Sequence, residues 1–284
     1  MIRIEESSRL IPKPAEPRLS DLFSETVSDA SKGNAARFYA EMMIDLFLSE
    51  RLKKELDASS LEKLTLGEHI QKISPYTDSV IISTLWRIKD FGDKASHYSP
   101  GSVLTTTDAD KAVEDAVGLI VQILTDELIK NPLNSYPGRA TLFSTILPRA
   151  RAQVLSHLLK KCPESEYDYY RFLVNKYGLA LTKSERYPAA RRNLDSLLKK
   201  KLIDIKYYQQ EVETIFLLDK SIKYPGQPIA QRMEDVARNF NAVLASFNTE
   251  DRNENLRLIE ILRTLVNDII PSGFNHRKTQ KLLF

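Results

Sequence analysis

Apolar residues recur at three- and four-residue spacing along most of the chain, the signature of helices with one buried face. From Asn34, the positions Ala36, Tyr39, Ala40, Met43, Phe47 and Leu48 form the first such stripe. A short second helix is predicted over residues 66–73, with Thr65 as N-cap and Ser74-Pro75 as its stop. The third runs from about Asp78 through Ile81, Ile82, Leu85 and Trp86 to His97, where Ser99-Pro100-Gly101 ends it. Thr107 or Asp108 can cap a fourth, whose stripe is Val113, Val117, Ile120, Leu124 and Leu128. Four helices with short links and no strand pattern predict an antiparallel four-helix bundle over residues 34–131. Residues 1–33 read as an N-terminal arm, extended over its first twenty residues by Pro12, Pro14 and Pro17.

Residues 131–138 (NPLNSYPG) are rich in turn formers and mark the expected domain boundary. Beyond them, residues 149–161 and 167–177 read as helices, and Pro188 can open a third that reaches about Leu202. Residues 211–218 (EVETIFLL) are the strand candidate, rich in β-formers with partial alternation. Two amphipathic helices close the chain. One is marked by Met233, Val236, Ala237, Phe240, Val243 and Leu244, the other by Leu258, Ile261, Leu262, Leu265, Val266 and Ile269. The predicted fold class is therefore all-α: the N-terminal bundle, then a mainly helical domain over residues 138–284 that could carry a small β-wing.

Composition removes several function classes. The longest apolar runs are a few residues, too short to span a bilayer, and nothing at the N-terminus resembles a signal peptide. A cytoplasmic location without membrane contact is expected. A single cysteine, Cys162, excludes an intrachain disulfide and a cysteine-based zinc site. The four histidines show no metal-ligand spacing, and the chain has no phosphate-binding P-loop, dinucleotide fingerprint or serine elbow. Neither a metal nor another cofactor is expected. The net charge of +3 conceals an asymmetry: residues 1–130 carry 16 Lys/Arg against 22 Asp/Glu, the remainder 25 against 16. A net of −6 is thus followed by a net of +9, so the second part is the one suited to a polyanion, or the two parts attract one another.

One segment concentrates candidate chemistry. In residues 85–97 (LWRIKDFGDKASH), Lys89, Asp93 and His97 stand at successive fourth positions and share one helix face. A histidine beside an aligned carboxylate is a usable general acid or base, and a cation one turn away can stabilise a phosphoryl transition state. The same spacing also suits an ordinary surface ion pair with a histidine at the helix's negative end. Gly92 inside the helix points to close packing of another backbone or to a kink.

The order of these elements over residues 34–130 resembles the HEPN superfamily, in the branch with a glycine-asparagine-x-x-x-histidine signature ending its third helix. The likeness rests on AARFYAEMMIDLFL, LTLGEHIQKI, DSVIISTLWRIKDFGDKASHY and the long aliphatic fourth helix. It implies a four-helix bundle that dimerises. In active members it implies a metal-independent RNase, in which an arginine and a histidine meet across the dimer interface and promote attack by the ribose 2′-hydroxyl. By position, the family histidine falls on His97 and the glycine on Gly92. Asp93 stands where asparagine is usual and Lys89 where arginine is usual. Arg87 lies about 200° around the helix from Lys89. Lysine lacks the bidentate fork that suits phosphate, and aspartate adds a negative charge where RNA must approach.

Residues 183–206 carry eight Lys/Arg against three Asp/Glu. With the helices before them and the strand candidate after, residues 145–220 resemble a winged helix-turn-helix. Its recognition helix would present Arg186, Arg191 and Arg192, with Ser184, towards phosphates or base edges, followed by Lys199, Lys200 and Lys201. The lysine run also suits a solvated helix end. Two functions are expected. The preferred one is a dimerising interaction protein of a bacterial defence or stress system, its basic part contacting nucleic acid or a partner protein. The alternative is a toxin-like RNase with His97 as acid/base, Lys89 as phosphate-stabilising cation and Asp93 as orienting carboxylate.

Overall fold

The computed structural model describes residues 10–96, 104–163, 166–224 and 229–266, and among these every regular element is helical. By compactness the chain divides into two units, one built on Ile11–Ile123 and the other on Leu124–Leu262.

In the first unit the expected extended arm is instead helical from Lys13. A 3-10 turn over Lys13–Arg18 leads into α1 (Leu19–Phe23), and Ala15 and Leu22 are buried. Proline's fixed φ suits the opening of a helical turn as well as an extended chain, and burial of the apolar side chains selects the former. Helix α2 (Asp29–Met43) starts five residues before Asn34 because the Ser28 side chain accepts a hydrogen bond from the Ser31 N–H. It continues into a π-turn, Ile44–Leu48, closed by the Ser49 N–H donating to the Ile44 carbonyl at 2.9 Å. Short helices α3 (Glu50–Glu55) and α4 (Ala58–Lys63) follow. Helix α5 (Leu66–Ile73) has the predicted bounds: Thr65 and Glu68 form a reciprocal capping box.

Helix α6 (Ser79–Ser96) carries the candidate face, and α7 (Thr106–Lys130) is the long aliphatic helix. Within this unit α2 and α5 both pack on α6. Helix α7 is tied to α6 by a bidentate pair, with Arg87 Nε and Nη2 each 2.8 Å from an Asp115 oxygen. It is tied to α2 by Thr106 donating to Asp29 and by the Lys32–Asp110 pair.

The division between the units falls inside α7, ahead of the turn-rich residues 131–138. The last turns of α7 interact forward along the chain. Glu127 accepts from Arg139, the first residue of α8 (Arg139–Phe143), at 2.5 Å, and both side chains are almost fully buried. The same guanidinium donates to the Asn131 carbonyl (2.9 Å) and approaches Asn255 Oδ1 (3.5 Å). Asn255, fully buried, donates to the carbonyls of Pro137 (3.2 Å) and Asp251 (2.8 Å). Gly138 is left-handed (φ 72°), and a Cβ there would sit 2.6 Å from the Phe247 ring.

The remainder of the second unit comprises α9 (Pro148–Lys161), α10 (Tyr167–Lys183), α11 (Tyr187–Lys199), α12 (Ile205–Lys223), α13 (Met233–Ser246), α14 (Thr249–Glu254) and α15 (Leu256–Val266), the last running just past it. The strand candidate, residues 211–218, is the interior of α12, so this part of the expected β-wing is corrected to helix. Asp204 caps α12 by accepting from the Tyr207 N–H at 2.8 Å. Tyr207, Glu211 and Ile215, four residues apart, then meet α10. Tyr207 Oη donates to the Arg171 carbonyl (2.6 Å), Asn175 Nδ2 donates to both Glu211 oxygens (3.2 and 3.0 Å), and Ile215 lies over Gly178. Contacts in ascending order on both helices make α10 and α12 parallel, with α11 between them in sequence. Burial at a four-residue period overrides the local β-propensity.

Helices α10 and α11 both end in Schellman motifs with a charged residue where glycine is usual. Glu185 (φ 62°) follows α10, and the Arg186 N–H reaches the Leu181 carbonyl at 2.9 Å. Lys201 (φ 59°) follows α11, and the Leu202 N–H reaches the Leu197 carbonyl at 3.0 Å.

Because Glu127 has no water to fall back on, Arg139→Ala is expected to lower unfolding free energy by about 3–5 kcal/mol. Urea titration followed by circular dichroism checks this; a loss under 1 kcal/mol would mean that the buried pair does not hold the unit together.

Candidate functional site

Helices α2 and α6 approach closely enough that glycine faces them on both sides. A Cβ on Gly33 would lie 2.6 Å from Phe91 Cε1 and 2.9 Å from Ala95 Cβ, and one on Gly92 would lie 2.8 Å from Arg37 Cβ. This is the close packing that Gly92 signalled. It sets the α2 side chains Asn34, Arg37 and Glu41 against Lys89, Asp93 and Ser96 of α6.

Asp93 is the centre of this face. Arg37 Nη1 stands 2.5 Å from Asp93 Oδ1, and Lys89 Nζ stands 2.5 Å from Asp93 Oδ2. Arg37 Nε also pairs with Glu41 at 3.5 Å. One turn further along α6, Ser96 Oγ donates to Asn34 Oδ1 at 2.6 Å. Lys89 runs its aliphatic stem over Gly67 of α5 and places its ammonium 5.5 Å from the Trp86 ring centroid. The structure thus joins Lys89 and Asp93 as the spacing predicts. His97 lies outside the described residues. Arg37 is the participant that sequence reading misses. Its partner is 56 residues away, and its only local signal is a position beside the apolar stripe of α2. Arg87 faces elsewhere, and its hydrogen bonds to Asp115 raise its pKa further above the ordinary arginine value.

Chemically, this face is a neutralised one. Each Asp93 oxygen carries a cation, and the two cations Arg37 and Lys89 meet the two carboxylates Asp93 and Glu41. A phosphate approaching it must compete with carboxylates already in contact with both cations.

The basic residues of the second unit are arranged differently. Arg191 donates to Tyr208 Oη at 2.7 Å and pairs with Asp195 at 3.3 Å, while Tyr208 Oη donates to Asp195 at 2.7 Å. That bond raises the tyrosine pKa. Arg191 therefore clamps α11 to α12. Ser184 is buried, its hydroxyl donating to the Leu181 carbonyl. Arg186, Arg192, Lys199, Lys200 and Lys201 are exposed, and among the described residues none of their side chains is in an ion pair or hydrogen bond. Arg192 and Lys199, two turns apart, share one face of α11.

Among the described residues no group of three His, Cys, Asp or Glu is placed to hold a metal ion, and no helix is long and apolar enough to cross a membrane. No protein-family model, no curated protein and no solved structure matches the chain.

Alanine in an open helix interior is worth about 1 kcal/mol over glycine. At Gly92 the sign should reverse, because the added methyl meets Arg37 Cβ, an atom that moves only with the backbone. Gly92→Ala is expected to destabilise by roughly 1–3 kcal/mol. Gly118→Ala on α7, with nothing within 4 Å, is expected to stabilise slightly. Thermal unfolding of the two variants checks the contrast, and a stabilised Gly92→Ala protein would contradict the close α2–α6 approach.

Proposed function

We propose that this chain is a HEPN-like, dimerising interaction protein of a defence or stress system, whose basic second unit contacts the phosphate backbone of a nucleic acid. The observation that carries this reading is the contrast in charge pairing. Arg186, Arg192, Lys199, Lys200 and Lys201 are exposed cations without intramolecular counter-charge, whereas Lys89 and Arg37 are engaged by Asp93. Exposed, unpaired cations bind polyanions by releasing condensed counterions, which requires no particular base sequence. Arg191 on this reading is a structural clamp rather than a contact.

Binding of labelled duplex DNA and of RNA, followed by fluorescence anisotropy over a range of salt concentrations, tests it. Affinity should fall steeply with salt. Replacing Lys199, Lys200 and Lys201 together with alanine should lower the log–log salt slope by about 3, near one per lost phosphate contact. Salt-independent binding, or a triple variant that binds like the unaltered protein, rules the reading out. Dimerisation is read separately by sedimentation at micromolar concentration.

One observation favours a second reading, a metal-independent RNase. Arg37 brings an arginine fork to the carboxylate beside Lys89, supplying from α2 the residue type that the resemblance expects on α6. In that case purified protein should cleave total RNA in the presence of chelator and leave cyclic phosphate ends. Both His97→Ala and Arg37→Ala should abolish cleavage. The first reading expects no cleavage from any of the three proteins.

A further inference from the structure

Helix α12 turns large apolar side chains outward as well as inward. Tyr207 and Ile215 face α10, and a surface helix ordinarily puts charged and polar residues on the opposite side. Here the outward side carries Phe216, Leu217 and Tyr224, which are 43%, 56% and 72% exposed. At about 100° per residue, these three fall with Gln209, Glu213 and Lys220 inside an arc of roughly 100°. Helices α10 and α11 pack on α12, yet all six residues of the arc are exposed. The Lys220 ammonium lies over the Phe216 ring, 4.5 Å from its centroid. Among the described residues neither Glu213 nor Lys220 has an ion-pair partner. Seven positions separate them, roughly 10 Å along the helix, so they do not pair with one another.

The pattern of this face is self-complementary. Glu213 stands three positions before Phe216, and Lys220 three positions after Leu217. A two-fold axis at the midpoint of Phe216 and Leu217 therefore sets Glu213 against Lys220 of an antiparallel second copy, and Phe216 against its Leu217. Each of these contacts is made twice. The same operation sets Gln209 against Tyr224, an amide against a phenol. A parallel pairing in register would instead set Glu213 on Glu213 and Lys220 on Lys220. The charges thus select one direction and one register.

We propose that this face of α12 is a homodimer surface, occupied by α12 of a second copy in antiparallel orientation. Burial of Phe216 and Leu217 supplies the attraction, and the two Glu213–Lys220 pairs fix direction and register. Six residues a side are far fewer than the roughly 20–30 of a standard interface, so the dimer exchanges with monomer at micromolar concentration. The proposal is independent of the resemblance over residues 34–130 and of the exposed lysines of α11.

The test is sedimentation equilibrium of the full chain at low ionic strength, from low micromolar to several hundred micromolar. The unaltered protein should dimerise reversibly. Glu213→Lys and Lys220→Glu each put like charges opposite one another at two points, and each should weaken the dimer by about tenfold or more. The double variant restores both pairs with their signs exchanged and should recover most of that loss. An equal mixture of the two single variants should form a heterodimer, since every charge then faces its opposite. Neither recovery can come from a variant that fails to fold. Leu217→Ser should weaken dimerisation while leaving the circular dichroism of the monomer unchanged. A double variant no stronger than the single ones overturns the antiparallel pairing. A dimer of equal strength in every variant overturns this face but leaves dimerisation elsewhere on the chain standing, and a monomer throughout the range overturns both.

Discussion

A guanidinium with no access to water is the constraint around which the Leu124–Leu262 unit is organised. Arg139 is almost fully buried, and such a group is tolerable only where every face of its fork meets an acceptor. Glu127 from the end of α7, the Asn131 carbonyl and Asn255 at the start of α15 provide these acceptors. Glu127 and Asn131 lie a turn apart where α7 ends and Asn255 lies at the junction of α14 with α15, so satisfying one side chain fixes the end of α7, the start of α8 and that junction together. Gly138 completes the arrangement, since its left-handed backbone lies where any side chain would strike Phe247. Apolar packing alone is non-directional and would leave the register of these short elements loosely specified.

Elsewhere the molecule sorts its charges by whether they are answered internally. On the α2–α6 face, four charged groups cancel. Between α11 and α12, Arg191, Asp195 and Tyr208 close a small ring. Along the exposed side of α11, the positive groups have no ion-pair partner among the described residues. The net charge of the second part of the chain is thus not spread evenly.

Local chemistry was legible where it is decided locally. Thr65 and Glu68 lie three residues apart and define α5 by their own hydrogen bonds, and of the two readings that Gly92 allowed, close packing or a kink, the structure shows the close approach to Arg37. Residues 211–218 misled because β-branched and aromatic residues suggest alternation. In fact Phe216 and Leu217 are exposed, while Glu211 and Ile215 turn inward to α10. A buried glutamate is not a pattern residue; it is made acceptable chiefly by the amide of Asn175, 36 positions earlier, with the charges of Arg171 and Lys176 beside it. Arg37 was hidden for the same reason, its meaning resting on a carboxylate in another helix. The arm failed differently, since proline's φ is common to extended chain and first helical turn.

Trp86 is the one tryptophan of the chain, and it stands on α6 beside Lys89, about two turns from Asp93. Indole emission depends on charge and solvent within a few ångströms of the ring. The ultraviolet fluorescence of the whole protein, excited at the indole band, is therefore a one-residue spectroscopic record of this neighbourhood. Any event that moves the lysine off the carboxylate or opens α5 from α6 writes itself into that signal, with no label attached and no background from a second indole.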